Sequence, residues 1–192
     1  MSRANLDSRV NSYSLTVATG TMAAGLAGAA EIMQFFWSAT PRAAIVSVVC
    51  DGIKALATGF TAGACLFDMT VARSFTVAGT GGAVATISGN NGKHSTLQGT
   101  TLLGELRIAT TAALTAGTKT LDSQPVSAMR AAVSTGAHEE IILPGQVLFE
   151  SDPDNGLDPI YLAANEGFVI RATVPATGTW DAGFTVRWIE SP

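Results

Sequence analysis

Two segments near the C-terminus alternate apolar and polar residues with a period of about two. They read FVIRATV (168–174) and FTVRWI (184–189), and the glycine-bearing stretch PATGTWDAG separates them. Side chains of a β-strand point alternately to opposite faces, so this pattern predicts two strands that each bury one face. The intervening glycines are typical of a loop, and the two segments together predict a hairpin.

The predicted hairpin places its apolar side chains on one face, through the pairs Val174–Phe184, Ala172–Val186 and Ile170–Trp188. Arg171 and Arg187 then lie opposite each other on the other face. They are either solvated or part of an interface that binds a partner's carboxylates. Trp180 falls at the hairpin tip, where it is either a possible exposed contact that could stack on a sugar ring or a side chain folded back into the core.

Most of the remaining chain also predicts strands. The apolar and β-branched segments are separated by turn signals, and no long amphipathic helix with caps stands out; the segments are 31–38, 43–50, 64–78 (with a kink near Ala72), 104–114, 125–133, 146–151 and 159–163. Only 14% of the 192 residues are charged, which leaves a small, neutral, β-compatible surface. We therefore expect an all-β fold, an antiparallel β-sandwich or jelly roll, over residues 31–192.

The N-terminal region has a different character. Residues 10–30 carry no charge, but three glycines interrupt the run and only two leucines occur in it, which disfavours both a signal peptide and a transmembrane span. We expect residues 1–30 to form an extended arm that lies along a neighbouring chain. Its predicted anchoring contacts are Arg3, Leu6, Arg9 and Tyr13.

Residues 79–100 raise the question of a phosphate site because they are rich in glycine and contain a Gly-Lys pair. A dinucleotide fingerprint would need glycine where Val84 stands, and a Walker motif would need glycine in place of Ile87 and Ser or Thr in place of His94. Both motifs also require a following helix. The stretch is interpreted as a polar excursion in which residues 90–92 form a turn with positive φ.

No other catalytic or metal-binding pattern is present. His94 and His138 are far apart and lack zinc spacing, and acid pairs such as 139–140 are typical of a loop surface. The segment 152–158 is similar to a calcium loop, but its glycine comes one place early and its twelfth position is Ala163. We assign no catalytic, cofactor-binding or metal-binding residue. The net charge of −4 argues against nucleic acid as a partner.

Two cysteines, Cys50 and Cys65, are too few for a disulfide framework and are expected to be buried thiols. If residues 45–50 and 64–71 formed a hairpin around Gly59, the two would lie nearly opposite each other. A cross-strand disulfide would then be conceivable under oxidising conditions.

Three runs carry a resemblance to a known group of proteins. FTAGACLFDMTVARSFTVAGTGG (60–82), LLGELRIATTAALTAGTKTLD (102–122) and the C-terminal region containing ANEGFVIRATVPATG (164–178) resemble virion structural proteins of tailed bacteriophages. The resemblance extends over most of the chain from about residue 30. It implies a β-rich virion component without catalytic content, of the capsid decoration or cement (head auxiliary) kind.

The resemblance also implies partners and a location. The partners would be the major capsid protein or other virion proteins, without nucleic acid or membrane, and the protein would form a homo-oligomer, with a trimer favoured. Its location would be the outer surface of the phage head, after assembly in the host cytoplasm. The alternative is a tail, baseplate or host-binding β module of the particle.

Overall fold

The computed structural model describes residues 11–23, 25–26, 28–38, 42–56, 59–85, 92–94, 104–135, 140–142 and 145–191. Within these ranges the chain forms fourteen β-strands and one short 3-10 turn. None of the described residues forms a helix long and apolar enough to cross a membrane.

The strands follow each other along the whole described chain. They are β1 (Ser12–Ala18), β2 (Met22–Ala23), β3 (Ala30–Trp37), β4 (Arg42–Ala55), β5 (Gly63–Val77), β6 (Ala83–Ala85), β7 (Gly104–Ile108), β8 (Thr118–Leu121), β9 (Ser127–Val133), β10 (Glu140–Ile142), β11 (Gln146–Glu150), β12 (Ile160–Leu162), β13 (Glu166–Thr173) and β14 (Thr179–Ser191). Each segment predicted as a strand contains one. The predicted kink in β5 lies at Ser74, whose φ is 49°.

Two antiparallel sheets make up the fold. In sheet A, β14 lies between β1 and β4, β2 also pairs with β14, and the far edge of β4 pairs in turn with β12, β11 and β10. Sheet B has the order β6-β7-β3-β13-β5, and the far edge of β5 pairs with β9 and β8. The two sheets pack face to face, which confirms the predicted antiparallel β-sandwich.

Large aromatic side chains fill the space between the sheets. Trp188 of sheet A stacks on Tyr13, with ring centroids 5.3 Å apart, and meets Phe35 of sheet B edge-on at 5.5 Å. Towards the other end of the core, Trp180 meets Phe67 of sheet B edge-on at 5.8 Å. All five side chains are at most 2% exposed. Such pairs add to the stabilisation from apolar burial and join the two sheets at two levels.

The predicted hairpin of the last two long strands is wrong. β13 pairs with β3 and β5, whereas β14 pairs with β1, β2 and β4, so the two strands lie in different sheets. Their apolar sides, represented by Ile170 and Trp188, are both buried in the core but face it from opposite sheets. Alternation shows which side of a strand is buried; it does not show which strand lies next to it.

The same distinction removes the cross-strand disulfide that a hairpin would have made conceivable, and the expected buried thiols are what the structure shows. Cys50 belongs to β4 in sheet A and Cys65 to β5 in sheet B, so no hairpin joins them. Both thiols are buried and free. Burial raises the pKa of each to about 11, which keeps them protonated and weakly nucleophilic.

Residues 12–23 belong to the sandwich. β1 pairs with β14 along its whole length, and Tyr13, Val17 and Met22 are part of the core. The backbone N–H of Thr19 also donates to Ala182 at 2.8 Å. The structure thus places no boundary between an arm and a domain at residue 30. The arm remains a prediction for residues 1–10, which lie outside the described residues together with Arg3, Leu6 and Arg9.

Part of the outer face of sheet B is covered by the segments 78–82 and 113–119. Gln34 donates to Glu31 at 2.5 Å and to the carbonyl of Thr115 at 2.8 Å, and it accepts from the N–H of Gly79 at 2.8 Å. Lys119 completes the network with an ion pair to Glu31 at 2.8 Å. A Cβ at Gly79 would lie 1.9 Å from the Thr115 carbonyl oxygen, so only glycine allows this close approach.

Candidate binding surface

On the outer face of sheet A, residues from four adjacent strand positions lie side by side; those of the flanking strands are exposed or half-buried, whereas Ala44 and Ser47 of β4 are 7% and 4% exposed. We call this surface the open face. Because Val186 and Trp188 point into the core, their neighbours on β14 point outwards. Following the strand register, three rows cross the open face: Ser12–Ile189–Ala44–Tyr161, Ser14–Arg187–Ser47–Glu150 and Thr16–Thr185–Val49–Val147.

Small and β-branched side chains dominate the open face. Thr16 and Thr185 bond through their hydroxyls at 2.8 Å, and Thr185 donates to Asp51 at 2.8 Å. These contacts order the side chains before any partner arrives. Two apolar side chains nevertheless stand out into solvent, Tyr161 at 55% and Val147 at 49% exposure. A preordered face with exposed apolar groups loses little entropy when it binds another protein.

A pocket of about 260 Å³ opens at one end of this face. It lies where the register between β14 and β4 shifts at Arg187 and Trp188, so that Val46 has no opposite residue on β14. Such a bulge bends the strand locally and leaves a depression. The pocket is lined by Ser12, Tyr13, Val46, His94, Arg187, Trp188 and Ile189.

The segment 92–94 supplies the outer wall of the pocket. It runs along the edge of β1. There the backbone N–H of Ser14 donates to the carbonyl of Gly92 at 2.7 Å, and the backbone N–H of His94 donates to the carbonyl of Ser12 at 3.1 Å. Gly92 has a φ of +70°, as predicted for the turn at 90–92. Residues 92–94 of the glycine-rich stretch therefore cover this edge of sheet A.

Opposite charges flank the centre of the open face. Arg187 of β14 and Glu150 of β11 are both paired in register with Ser47, one on each side of β4. Both side chains are exposed, and neither forms an ion pair within the described residues. An exposed arginine beside an apolar pocket is a common anchor for another protein.

Glu190 lies beside the pocket residues Tyr13 and Trp188, on the core-facing side of β14. Burial raises its pKa to about 7, although Trp188 and Tyr13 favour its charged form. Oε1 of Glu190 and Nε1 of Trp188 are both buried without a hydrogen-bond partner in ordinary geometry. The carboxyl group is thus held without a cation, which favours its neutral form.

The structure separates the two predicted interface arginines. Arg171 is half-buried on sheet B and donates from Nε to Asp68 at 2.7 Å, whereas Arg187 is exposed on sheet A. Thr70 also donates to Asp68, at 2.9 Å. Arg171 therefore neutralises a buried acid within the fold, and of the two arginines Arg187 is the one available to a partner.

Trp180 is not an exposed contact. Its side chain is 0% exposed, and its indole N–H donates to the carbonyl of Ala23 at 3.2 Å. β2 supplies that acceptor, so the partner of the indole lies in a strand that the sequence pattern missed. Tyr13, predicted as an arm contact, is 2% exposed and stacked on Trp188 within its own chain.

Two important residues of the open face, Glu150 and Tyr161, were not singled out from the sequence. Both lie in segments predicted as strands, at positions that alternate with buried residues: Phe149 precedes Glu150, and Leu162 follows Tyr161. A tyrosine on the polar side of a short strand was the available signal. Their proximity to Arg187 could not be inferred because it depends on β4, which is distant in sequence.

The described residues contain no group of three histidine, cysteine, aspartate or glutamate side chains placed to share a metal ion. The calcium-like segment forms a 3-10 turn at Pro153–Asn155, in which Asn155 donates to the Asp152 carboxylate at 2.5 Å. His94 is exposed, and His138 lies outside the described residues.

Comparison with known proteins adds no relative: no family model, no curated protein and no solved structure matches the chain. The β-sandwich and its open face are therefore the observations on which a function can be built.

Proposed function

We propose that this protein is a non-enzymatic structural component of a tailed-phage particle, and specifically a decoration protein that binds the outer surface of the head and reinforces the shell. The observation that carries the proposal is the open face of sheet A. It combines hydrogen-bonded hydroxyl side chains with exposed Tyr161 and Val147, which suits protein association. The resemblance of residues 60–82, 102–122 and 164–178 to virion proteins supplies the context.

The placement of the charged groups supports a structural role. Glu31 and Lys119 are paired to each other, and Asp68 is paired to Arg171. These groups hold strands and covering segments together, and each has its partner within the fold. The net charge of −4 suits a position outside the shell, away from packaged DNA.

The experiment is co-sedimentation of the purified protein with empty heads assembled from the major capsid protein of the same phage. We expect saturable binding at a fixed ratio to the capsid subunits and a higher melting temperature of the decorated heads. Tail tubes from the same phage serve as the comparison. Binding to tails and not to heads would replace the decoration role by the tail or baseplate alternative, and binding to neither would overturn the proposal.

A shell-binding arm can be tested in the same assay. Arg3, Leu6 and Arg9 are the predicted anchors, and a chain beginning at Asn11 lacks them while it keeps every described strand. We expect this shortened chain to remain folded and to bind heads at least tenfold more weakly. Unchanged binding would show that the shell contact lies on the sandwich.

A further inference from the structure

The middle row of the open face is arranged so that it can pair with itself. Ser47 lies on the central strand β4, with Arg187 on one side and Glu150 on the other. A two-fold axis that runs along β4, in the plane between two facing sheets, would exchange these two sides. Each Arg187 would then face Glu150 of a second copy, and two equivalent ion pairs would form.

We propose that the open face binds the open face of a second copy of this chain, with Tyr161 of each copy inserted into the pocket of the other. The inference does not depend on the role in a phage particle, because it concerns only association between identical chains. In such a dimer the second copy covers the open face, so contact with a phage head would fall to other parts of the chain, such as the predicted arm. It identifies a surface, an anchor residue and a symmetry axis.

The position of the pocket supports this pairing. The same two-fold axis that matches Arg187 with Glu150 carries Tyr161 of one copy over Ile189 of the other, because both residues belong to the row that crosses β4 at Ala44. The pocket lies at that place, between Ile189 and Arg187, and its 260 Å³ can receive one aromatic ring. Tyr161 is 55% exposed, so its ring is free to enter a pocket of another chain.

The third row is also compatible. Thr185 would lie over Val147 of the second copy, and Val49 would lie over its own symmetry mate on the axis. Small side chains at the axis allow two sheets to approach to about 10 Å, the usual spacing of packed sheets. The row thus adds apolar contact, but Asp51 of β4, which accepts from Thr185, also lies at the axis and would face its own symmetry mate.

The charges also select between the possible axes. A two-fold axis perpendicular to the strands at the level of Ser47 would place Arg187 over Arg187 of the second copy, and Glu150 over Glu150 of the second copy. Like charges facing each other oppose association. The axis along β4 brings together opposite charges, and the exposed ring meets the pocket in the same arrangement.

The dimensions of the face predict the strength of association. Three strand positions face each other in this arrangement, because the β1 residues have nothing opposite, and with three rows they give a contact of roughly 15 by 20 Å for each copy. About 300 Å² per copy is below the size of stable specific interfaces and belongs to weak, transient contacts. We therefore expect a reversible dimer with a dissociation constant on the order of 10 to 100 µM.

Sedimentation equilibrium of the full-length protein between 1 and 500 µM tests the proposal. Tyr161→Ser should weaken dimerisation at least tenfold, because it removes the inserted ring from each side. Val77→Ser is the matched control, since Val77 has the same 55% exposure but lies on β5 in sheet B. We expect the control to associate like the wild type.

Charge reversal tests the axis. Arg187→Glu alone and Glu150→Arg alone should each weaken dimerisation at least tenfold, and the double variant should restore it to within about threefold of the wild type. Arg130→Glu, which alters an exposed arginine of β9, should have no effect. Circular dichroism of each variant shows that it is folded.

Three outcomes would overturn the proposal. One is a wild-type protein that stays monomeric at 500 µM. Another is a trimer or other oligomer that is unaffected by Tyr161→Ser, which would favour the trimer expected from the sequence. The last is a charge-swapped double variant that remains as weak as the single variants. Head binding is measured separately, so failure of the dimer and failure of the decoration role are distinguishable.

Discussion

The two sheets differ in how their acidic side chains are paired and in how far their outer faces are covered. On sheet B, the buried acid Glu31 has a lysine and an amide as partners, and the segments 78–82 and 113–119 cover the network. On sheet A, much of the outer face is exposed, and the half-buried acid Glu190 lies beside two aromatic side chains without a cation. The Glu31 network of sheet B thus has all its partners within the chain, whereas the outer face of sheet A keeps a charged and an aromatic side chain available to another protein.

This difference teaches where stability and binding are located. Residues in a covered network contribute to the free energy of unfolding, because removing one partner leaves the other buried and unpaired. Residues on the open face contribute little to folding but present contacts to a partner. Substitutions in the covered network, on the two sides of β14 and in an exposed ion pair test this division.

The largest effect is expected from Lys119→Ala. The side chain of Lys119 is 2% exposed and that of Glu31 is 9% exposed, so the substitution leaves a buried carboxylate without its cation. We expect the free energy of unfolding to fall by about 3 kcal/mol in urea denaturation.

Two further variants sharpen this measurement. Adding Glu31→Gln to Lys119→Ala removes the unpaired carboxylate and should recover part of the lost unfolding free energy. Arg107→Ala breaks the more exposed pair with Glu105, whose side chains are 18% and 27% exposed, and should cost less than about 1 kcal/mol. Equal losses for Lys119→Ala and Arg107→Ala would contradict the comparison between covered and exposed pairs.

Glu190→Gln tests the half-buried acid of sheet A. Because burial raises the folded-state pKa of Glu190 from 4.5 to about 7, the folded protein binds more protons than the unfolded chain between these two pH values. The contribution of Glu190 to stability is therefore present below pH 4.5 and is lost as the pH rises through 7. Partial solvent screening limits the loss to about 2 kcal/mol.

The measurement is the difference in unfolding free energy between wild type and Glu190→Gln at pH 5, 6, 7 and 8. We expect the stability of the variant to rise relative to that of the wild type as the pH rises, because the amide cannot ionise. Taking the difference removes the contributions of the other carboxylates. A difference that does not change with pH would contradict the raised pKa.

Trp180→Phe compares the two sides of β14. Trp180 is on the core side, and the substitution removes its hydrogen bond to the carbonyl of Ala23 and part of its packing on Phe67. We expect a loss of about 1 to 2 kcal/mol in urea denaturation. A neutral result would mean that β2 is held in place without this bond.

The smallest effect is expected from Arg187→Ala, on the outer side of the same strand. Arg187 is exposed and forms no ion pair within the described residues, so the free energy of unfolding should change by less than about 0.5 kcal/mol. The measurement is made at 1 µM protein, well below the expected dissociation constant of the dimer, so that the protein is monomeric. A loss as large as that of Trp180→Phe would show that the open face also stabilises the fold.

Sequence patterns predicted the fold class because the alternation of apolar and polar residues within a strand indicates which of its sides is buried. The segment 31–38 was predicted as a strand, and β3 occupies Ala30–Trp37. The short strands β2 and β6 were missed because two or three residues carry no measurable period. The segment 104–114 was predicted as one strand, but the strand ends at Ile108 and the chain then turns towards sheet A.

The candidate site was only partly predictable. Arg187 was identified from the alternation of its strand, but so was Arg171, and nothing local distinguishes the two. Their different surroundings arise because Asp68 lies next to Arg171 on β5, while Ser47 separates Arg187 from Glu150. The sequence allowed Trp180 to be either an exposed contact or a core residue. It is a core residue because β2 pairs beside it and accepts its indole N–H.

By itself, the sequence determined that this chain folds as antiparallel β-structure and which side of most long strands is buried, because the period of two depends only on neighbouring residues. Only the tertiary structure decided which sheet each strand joins, since β13 and β14 would bury the same apolar sides as a hairpin or across a sandwich. It also decided that Tyr161, Glu150 and Arg187 share one face, because strand register is set by long-range pairing with β4.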